Sequence, residues 1–269
     1  MELYERRIMV RGAGDMATAV ALRLHLSGFP VVMTEVAEPL AVRRKVSFCE
    51  AVWDGTAVVE GVRARLASGT GDLEDIRERD EIPLLVDPDL GSLPSVKPAA
   101  LVDATLAKRN MGIHPGLAPL VIGVGPGFSA GENVHMVVET KRGHHLGRVI
   151  TRGEAIANTG IPGNIEGYTE ERVLRSPGDG AFEAKVDLGA MVRAGDLVAE
   201  VSGKPVRAKI DGVVRGLIRP GSKVSAGLKV GDVDPRGDGS YVDTVSDKAR
   251  AVAGGVLEAI LRVYNRRSV

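Results

Sequence analysis

The sequence predicts an α/β protein in which a mainly parallel sheet is followed by a small all-β module and a C-terminal helix. Three observations carry this prediction. A strand–turn–helix signature stands near the amino end, apolar runs then alternate with polar stretches, and short β runs bounded by glycine fill residues 172–235. We therefore predict three domains, at 1–165, 166–236 and 237–269.

The first signature is an apolar run, Ile8–Val10, that breaks into Gly12-Ala13-Gly14 and then becomes helical. A dinucleotide-binding turn needs this order, because one glycine makes the tight turn and the next lets a pyrophosphate approach the backbone. A second apolar strand ends at Glu35, where a carboxylate would accept a hydrogen bond from a ribose hydroxyl. Residues 1–165 are thus predicted to form a Rossmann-like nucleotide-binding domain.

Four candidate cofactor-binding residues follow from this turn: Gly12, Gly14, Asp15 and Glu35. Asp15 has an alternative role as a helix cap. Basic residues at Arg11 and 43–45 would suit a 2′-phosphate, or they form a solvated basic face. The choice among NAD, NADP and another phosphate-bearing ligand stays open.

Composition narrows the classes of partner. Lys plus Arg and Asp plus Glu number 35 each, so no overall field draws the chain to nucleic acid or to a membrane surface. The single Cys49 excludes an internal disulfide and a cysteine-rich metal site. No apolar leader or spanning run is seen, so we expect a cytoplasmic protein. A homo-oligomer is left open.

The middle of the chain concentrates functional residue types. A glycine-rich loop, 125–131, follows an apolar run, and its Gly125 and Gly127 are further candidate cofactor-binding residues. The next strand carries His135, and a basic segment with two histidines comes after it. An anionic group held by Arg142, His144 and Arg148 is the preferred interpretation, and His135 or His144 is the candidate general acid.

Two alternatives remain for the same segment. His135, Glu139, His144 and His145 have the side-chain chemistry of a divalent-metal site, although no compact metal motif is present, and we predict no bound metal. The other alternative is a surface hairpin whose histidines complete a hydrogen-bond network.

The β module contains two similar sequence segments, at 189–195 and 221–227, that share the motif Gly-x-x-Val-x-Ala-Gly. These paired turns resemble the biotinyl/lipoyl barrel-sandwich fold. Lys204 stands in a predicted hairpin, but its neighbours differ from those of cofactor-attachment lysines, so packing, docking or closing a site is the favoured role.

The last segment, 245–263, has apolar residues at helical spacing and is expected to pack back on the first domain. The charged segments at 234–237 and 246–250 are expected to form salt bridges between the domains, or else the far wall of the ligand cleft.

Short sequence motifs distributed over the whole chain resemble those of the YqeB-type accessory family of the selenium-dependent molybdenum hydroxylase system. They are Arg11–Asp15, Thr34-Glu35 with Arg43-Arg44 and Ser47-Phe48, Gly125–Gly131, Glu139–His144, Leu146–Arg148, Asn158–Gly163, Asp234–Arg236 and Ser246–Arg250. The amino-terminal half is more distantly similar to xanthine dehydrogenase accessory proteins.

This resemblance implies an accessory protein that binds a nucleotide or a molybdopterin-type cofactor and helps to mature a molybdenum hydroxylase. Its partners would be that client or its maturation machinery and a small phosphate-bearing ligand. Cys49 is the one thiol available for sulfur or selenium transfer, although its apolar neighbours favour a buried structural role. The alternatives are an NAD(P)-dependent oxidoreductase that acts on a small anionic substrate and a non-catalytic docking scaffold.

Overall fold

The structure, a computed structural model, describes residues 3–265 and consists of two compact units. Unit 1 comprises Met1–Pro39, Ser47–Asn158 and Val245–Val269, and unit 2 comprises Leu40–Val46 and Thr159–Thr244. The predicted boundaries at 165 and 236 both fall inside unit 2. Within the described residues, no helix has the length and apolarity needed to cross a bilayer.

Unit 1 contains eleven strands and five α-helices among its described residues. The strands are β1 Ile8–Arg11, β2 Val31–Glu35, β3 Thr56–Val59, β4 Val62–Leu66, β5 Ile82–Val86, β6 Ala100–Asp103, β7 Leu120–Val124, β8 Ser129–Ala130, β9 Met136–Val138, β10 Val149–Ile150 and β11 Gly153–Glu154. The helices are α1 Asp15–Leu26, α2 Ala51–Asp54, α3 Leu73–Glu78, α4 Leu93–Val96 and, after α5 of unit 2 (Ser240–Asp243), α6 Asp247–Tyr264.

Nine of these strands form one sheet in the order β10-β9-β7-β6-β1-β2-β5-β4-β3. The inner strands run parallel to their neighbours, and β1 is buried along its whole length because it lies at the centre of the sheet. The carboxyl ends of β1, β6, β7 and β9 therefore lie at one edge, which we call the carboxyl edge. The opposite edge is the amino edge.

Unit 2 consists of short antiparallel strands. They are β12 Val173–Arg175, β13 Gly180–Ala184, β14 Met191–Val192, β15 Leu197–Val201, β16 Lys204–Arg207, β17 Gly212–Leu217, β18 Lys223–Val224 and β19 Lys229–Asp234. They form two four-stranded sheets, β12-β19-β17-β14 and β16-β15-β13-β18. Aliphatic side chains and the fully buried Phe182 fill the core of this unit.

The predicted fold class, a Rossmann-like mainly parallel sheet followed by a barrel-sandwich module, is corrected by this arrangement. The large sheet is mixed, because β3 and β10 run antiparallel to their neighbours. The second unit comprises two separate antiparallel sheets and also takes in residues 40–46. The missed signal is Glu60-Gly61, both at positive φ, which forms the two-residue turn of the β3–β4 hairpin.

Helix α6 packs against α1 within unit 1. The Ser246 hydroxyl caps α6 by accepting a hydrogen bond from the Ala249 N–H at 3.2 Å. Gly255 lies against the turn after β9, where a Cβ atom would meet the backbone oxygen of Gly147 well inside contact distance. At the adjacent Gly254, a Cβ atom would meet nothing within 4 Å.

These two glycines make a matched pair for a stability test. Gly255→Ala should lower the free energy of unfolding by about 1–3 kcal/mol, because the added methyl group overpacks the interface with the turn. Gly254→Ala should leave it unchanged or raise it by up to about 1 kcal/mol, since alanine favours the helix. Urea unfolding of both variants measures the difference, and equal effects would contradict the close packing.

A buried ionic cluster lies in unit 2. Asp232 accepts hydrogen bonds from Arg172 and from Arg215, the latter at 2.8 Å, and Asp234 accepts from Arg215 at 2.9 Å and from Arg236. Burial alone would raise the pKa of Asp234, but hydrogen bonds from Arg236 and the charge of Arg215 hold it below its ordinary value. This carboxylate stabilises the fold while it is ionised.

Asp234→Asn should therefore destabilise the protein by about 3–5 kcal/mol at neutral pH, because it removes one of the two carboxylates that neutralise the buried Arg215 guanidinium. The stabilisation by Asp234 is present above the ordinary carboxyl pKa of about 3.9 and is lost as pH falls through the lower folded-state value. Melting temperatures between pH 7 and pH 3 measure it. Glu183→Gln, which removes an exposed carboxylate paired with Lys185, is the control and should cost less than about 1 kcal/mol.

Candidate functional site

The carboxyl edge of unit 1 is built around a buried ion pair. Arg11, the last residue of β1, contacts Asp103, the last residue of β6, with 3.1 Å between Nη1 and Oδ2. The Arg11 guanidinium also donates to the carbonyl oxygens of Met111 at 3.0 Å and Pro88 at 2.7 Å. Arg11 is therefore engaged in holding the loops after β5 and β6 and is not a free cation for a ligand phosphate.

Three of the predicted cofactor-binding glycines serve loop packing. A Cβ atom on Gly12 would lie 3.3 Å from the backbone of Thr105. One on Gly125 would lie 2.8 Å from Thr140 Oγ1, and one on Gly127 would lie 2.6 Å from the Arg109 nitrogen. All three have positive φ, so both conformation and contact favour glycine there.

Gly14 differs from these glycines. A Cβ atom there would meet nothing within 4 Å, and its φ of −68° suits any residue. Gly14 is the N-cap of α1 and supplies no side-chain cap. Asp15, the first residue of α1, accepts from the Met16 N–H at 2.9 Å. In the described part of the chain, no acceptor is found for the N–H groups of Gly14, Asp15 and Ala17.

Glu35 folds back from the end of β2 onto the turn after β1. Its Oε2 accepts from the Ala13 N–H at 2.7 Å, and its Oε1 accepts from the Val36 N–H at 2.8 Å. Burial raises the pKa of Glu35, and these two hydrogen bonds partly oppose that rise. Its carboxylate thus shapes the turn beside Gly14.

Lys248, in the first turn of α6, brings a cation to this edge. Burial lowers the pKa of its amine, the positive charges of Arg142 and Lys108 lower it further, and the carboxylates of Asp15 and Glu139 oppose that shift. No hydrogen-bond or ion-pair partner of the Lys248 amine is found among residues 3–265. A half-buried amine beside the open end of α1 can take an anionic partner.

Of the four predicted catalytic residues, Arg142, His144 and Arg148 lie in the turn between β9 and β10, and His135 lies apart from them. His135 precedes β9 and so lies toward the amino edge, where its Nδ1 accepts from the Val121 N–H at 2.9 Å. Arg142 makes a bidentate pair with Asp247 at 2.6 and 2.9 Å. His144 and Arg148 are exposed in the turn after β9, and the His144 ring packs edge-on against His145.

Glu139, considered above as a metal ligand, is buried and bound by backbone groups. Its oxygens accept from the N–H groups of Thr140 and Lys141, both at 2.7 Å, and of Ile156 at 2.8 Å. Within the described residues, no three His, Cys, Asp or Glu side chains form a group that could hold a metal ion.

Cys49 is fully buried next to the turn after β1, where its N–H donates to the Ala13 oxygen at 2.9 Å. Burial raises the pKa of its thiol far above the ordinary range, and the nearby negative charges of Glu35, Glu50 and Asp15 raise it further. Cys49 is therefore a protonated structural thiol, which disfavours sulfur or selenium transfer through it.

The native protein should accordingly fail to react with a thiol reagent such as 5,5′-dithiobis(2-nitrobenzoate) at pH 8, whereas the urea-unfolded chain should release one equivalent of thionitrobenzoate. The chain has a single cysteine, so absorbance reports this residue alone. Rapid, stoichiometric labelling of the native protein would contradict the burial.

Comparison with known proteins gives weak matches among solved structures, and no protein-family model matches the chain. The ectoine utilization protein EutE (DoeB) from Ruegeria pomeroyi matches with a TM-score of 0.26 and 17% identity over 85% of both chains. An aspartoacylase family protein from Mesorhizobium loti gives 0.27 and 12% over 85% of both chains. A succinylglutamate desuccinylase from Silicibacter sp. TM1040 gives 0.24 and 15%, over 85% of this chain and 84% of that one.

These findings correct the functions expected from the sequence. The structural neighbours are named as an ectoine utilization protein, an aspartoacylase family protein and a succinylglutamate desuccinylase, and none of these names refers to molybdenum, selenium or a nicotinamide cofactor. The expected hydroxylase accessory protein and the alternative NAD(P)-dependent oxidoreductase are therefore not retained. At TM-scores this low, the neighbours' own activities are not transferred to this chain either.

A curated relative gives a much stronger match. The chain is 48% identical over 259 residues, 96% of its length, to the uncharacterized protein YqeB of Escherichia coli K12. It spans about half the length of that relative, 48%. Identity at this level over nearly the whole chain makes this protein a homologue of YqeB.

Proposed function

We propose that unit 1 binds a small phosphate-bearing ligand at the carboxyl edge, between the N-terminus of α1 and Lys248. One observation carries the proposal. The N–H groups of Gly14, Asp15 and Ala17, for which the described chain provides no acceptor, stand at an open helix end beside a half-buried amine that also has no partner there.

The backbone of this helix end suits a phosphate group. The first N–H groups of a helix and its macrodipole both favour an anion at the N-terminus. α1 has 12 residues, long enough for this effect, and the absence of a side chain at Gly14 leaves open space beside the half-buried Gly14 and Asp15, whereas Ala17 is buried. The ligand phosphate would take the place of the missing cap.

Lys248 supplies the complementary charge. An ammonium group is a compact point charge that binds phosphate without the planar geometry that an arginine requires. Arg142 is already paired with Asp247, whereas no partner of the Lys248 amine is found in the described part of the chain, and its charge interacts with that of Asp15. A bound phosphate would also raise the pKa of Lys248, so binding at alkaline pH should take up protons.

The acidic side chains at this edge indicate what else the ligand carries. Asp15 Oδ1 accepts one backbone hydrogen bond, and each Glu35 oxygen accepts one, so each carboxylate keeps lone pairs for a further donor. Two carboxylates beside a phosphate site favour a ligand that bears hydroxyl groups over inorganic phosphate alone.

Calorimetric titration with inorganic pyrophosphate tests the proposal. Lys248→Met should weaken binding at least tenfold, because a charge-assisted hydrogen bond is worth about 1.5–3 kcal/mol. It should also abolish proton uptake, measured near about pH 9 in buffers of different ionisation enthalpy. Gly14→Leu should weaken binding as strongly, since its side chain would occupy the space in front of the N–H groups.

The chain offers matched controls in unit 2. Gly239 is also a helix N-cap with open space around its Cβ position, and Lys223 is an exposed lysine. Gly239→Leu and Lys223→Met should bind pyrophosphate as the unmodified protein does. The proposal fails if the unmodified protein shows no saturable binding, or if the variants at Gly14 and Lys248 bind like their controls.

A further inference from the structure

A pocket of about 620 Å³ lies at the amino edge of the same sheet, the opposite edge from Gly14. Arg6 and Arg7 precede β1, Pro30 precedes β2, and Pro98 and Ala99 precede β6. None of these residues was a candidate in the sequence, and the pocket is independent of the phosphate site proposed above. Its volume is within the range of about 300–1,000 Å³ that is usual for small-molecule sites.

The inner wall of this pocket is apolar and its backbone is satisfied. The Ala99 N–H donates to the Arg7 oxygen at 2.8 Å, and the Ala99 oxygen accepts from the Leu120 N–H and from the Tyr264 hydroxyl. The three lining prolines, Pro30, Pro98 and Pro119, carry no N–H group. This wall therefore offers contact to an apolar body and no backbone donor to a polar one.

Charged side chains form the rim. Glu74 lies between Arg7 and Arg77 and accepts hydrogen bonds from both, which holds the pKa of Glu74 below its ordinary value, chiefly through Arg77. The Arg6 guanidinium lies 4.3 Å from the centroid of the Tyr264 ring. Together with Lys97 and Glu5, the lining has four cationic side chains against two carboxylates.

Lys97 carries one of the two positive charges that exceed the carboxylates of this lining. It follows α4 with a positive φ of 47°, which directs the chain out of the helix, and its side chain is exposed. In the described part of the chain, neither a hydrogen bond nor an ion pair of the Lys97 amine is found. An apolar wall beneath an unpaired cation suits a ligand with one apolar end and one anionic end.

We propose that this pocket binds a small carboxylate with an aromatic or aliphatic body, the carboxylate at Lys97 and the rim arginines and the body against the prolines and Tyr264. A planar carboxylate suits guanidinium donors, as the position of Glu74 between Arg7 and Arg77 illustrates. Apolar contact with the wall then distinguishes this ligand from free phosphate, which has no apolar part.

Fluorescence titration with 2-naphthoate tests this proposal, with the neutral 2-naphthalenemethanol as the matched ligand. The carboxylate should bind at one saturable site, and the alcohol at least tenfold more weakly. Lys97→Glu, a change at an exposed position, should weaken 2-naphthoate at least tenfold, whereas Lys223→Glu in unit 2 should have no effect. Equal binding of the two ligands, unchanged binding by the Lys97 variant, or no saturable binding would overturn the proposal.

Cross-titration separates this pocket from the carboxyl edge. Lys248→Met should retain 2-naphthoate binding, and Lys97→Glu should retain pyrophosphate binding. Saturating pyrophosphate should not displace 2-naphthoate, because the two sites lie at opposite edges of the sheet. Displacement would show that one site takes both probes and would overturn the assignment of the carboxylate to the amino edge.

Discussion

The carboxyl edge of unit 1 depends on the buried contact between Arg11 and Asp103. Arg11 ends the central strand β1, and its guanidinium joins the end of β6 to the loops that carry Pro88 and Met111. Removal of either partner would leave a buried charge without compensation, which typically costs about 3–5 kcal/mol. The turn at Gly12 packs on Thr105, whose N–H and hydroxyl both bond to Asp103, so the shape of the turn follows from the same pair.

Because protein groups already fill most of this edge, the open positions are informative. Gly12, Gly125 and Gly127 are covered by neighbouring loops, Glu139 is held by three backbone N–H groups, and Glu35 braces the turn. Among residues 3–265, the positions that stay open include the end of α1 at Gly14 and the amine of Lys248. Both favour an anion, and they come from chain segments more than two hundred residues apart.

Local structure was more predictable than architecture. The apolar run at Ile8–Val10 lies in a strand, and the spacing of apolar residues after Ser246 corresponds to a helix. Both patterns are predictable because they reflect which residues of one short segment are buried. The predicted fold class was wrong because the two outermost strands make the sheet mixed. Strand β3 is joined to β4 by the Glu60-Gly61 hairpin, and β10 runs antiparallel to β9.

The candidate site shows a similar division. Sequence reasoning singled out the turn that contains Gly14, but a glycine needed for loop packing, such as Gly127, has the same sequence signature as one that admits a ligand. His135 and His144 are close in sequence, yet strand β9 lies between them. Lys248 belongs to the charged segment 246–250, which the sequence predicts to form salt bridges or the wall of a cleft. Its position near Asp15 depends on the packing of α6 against α1, which no local sequence pattern encodes.

The most direct test of the central claim is a two-dimensional ¹⁵N–¹H NMR titration of the protein with pyrophosphate. The account predicts that the backbone amides of Gly14, Asp15 and Ala17 shift in a saturable way, with the first turn of α6 following them and the amino edge unchanged. Saturable shifts confined to the amino edge or to unit 2, with these three amides unmoved, would contradict it.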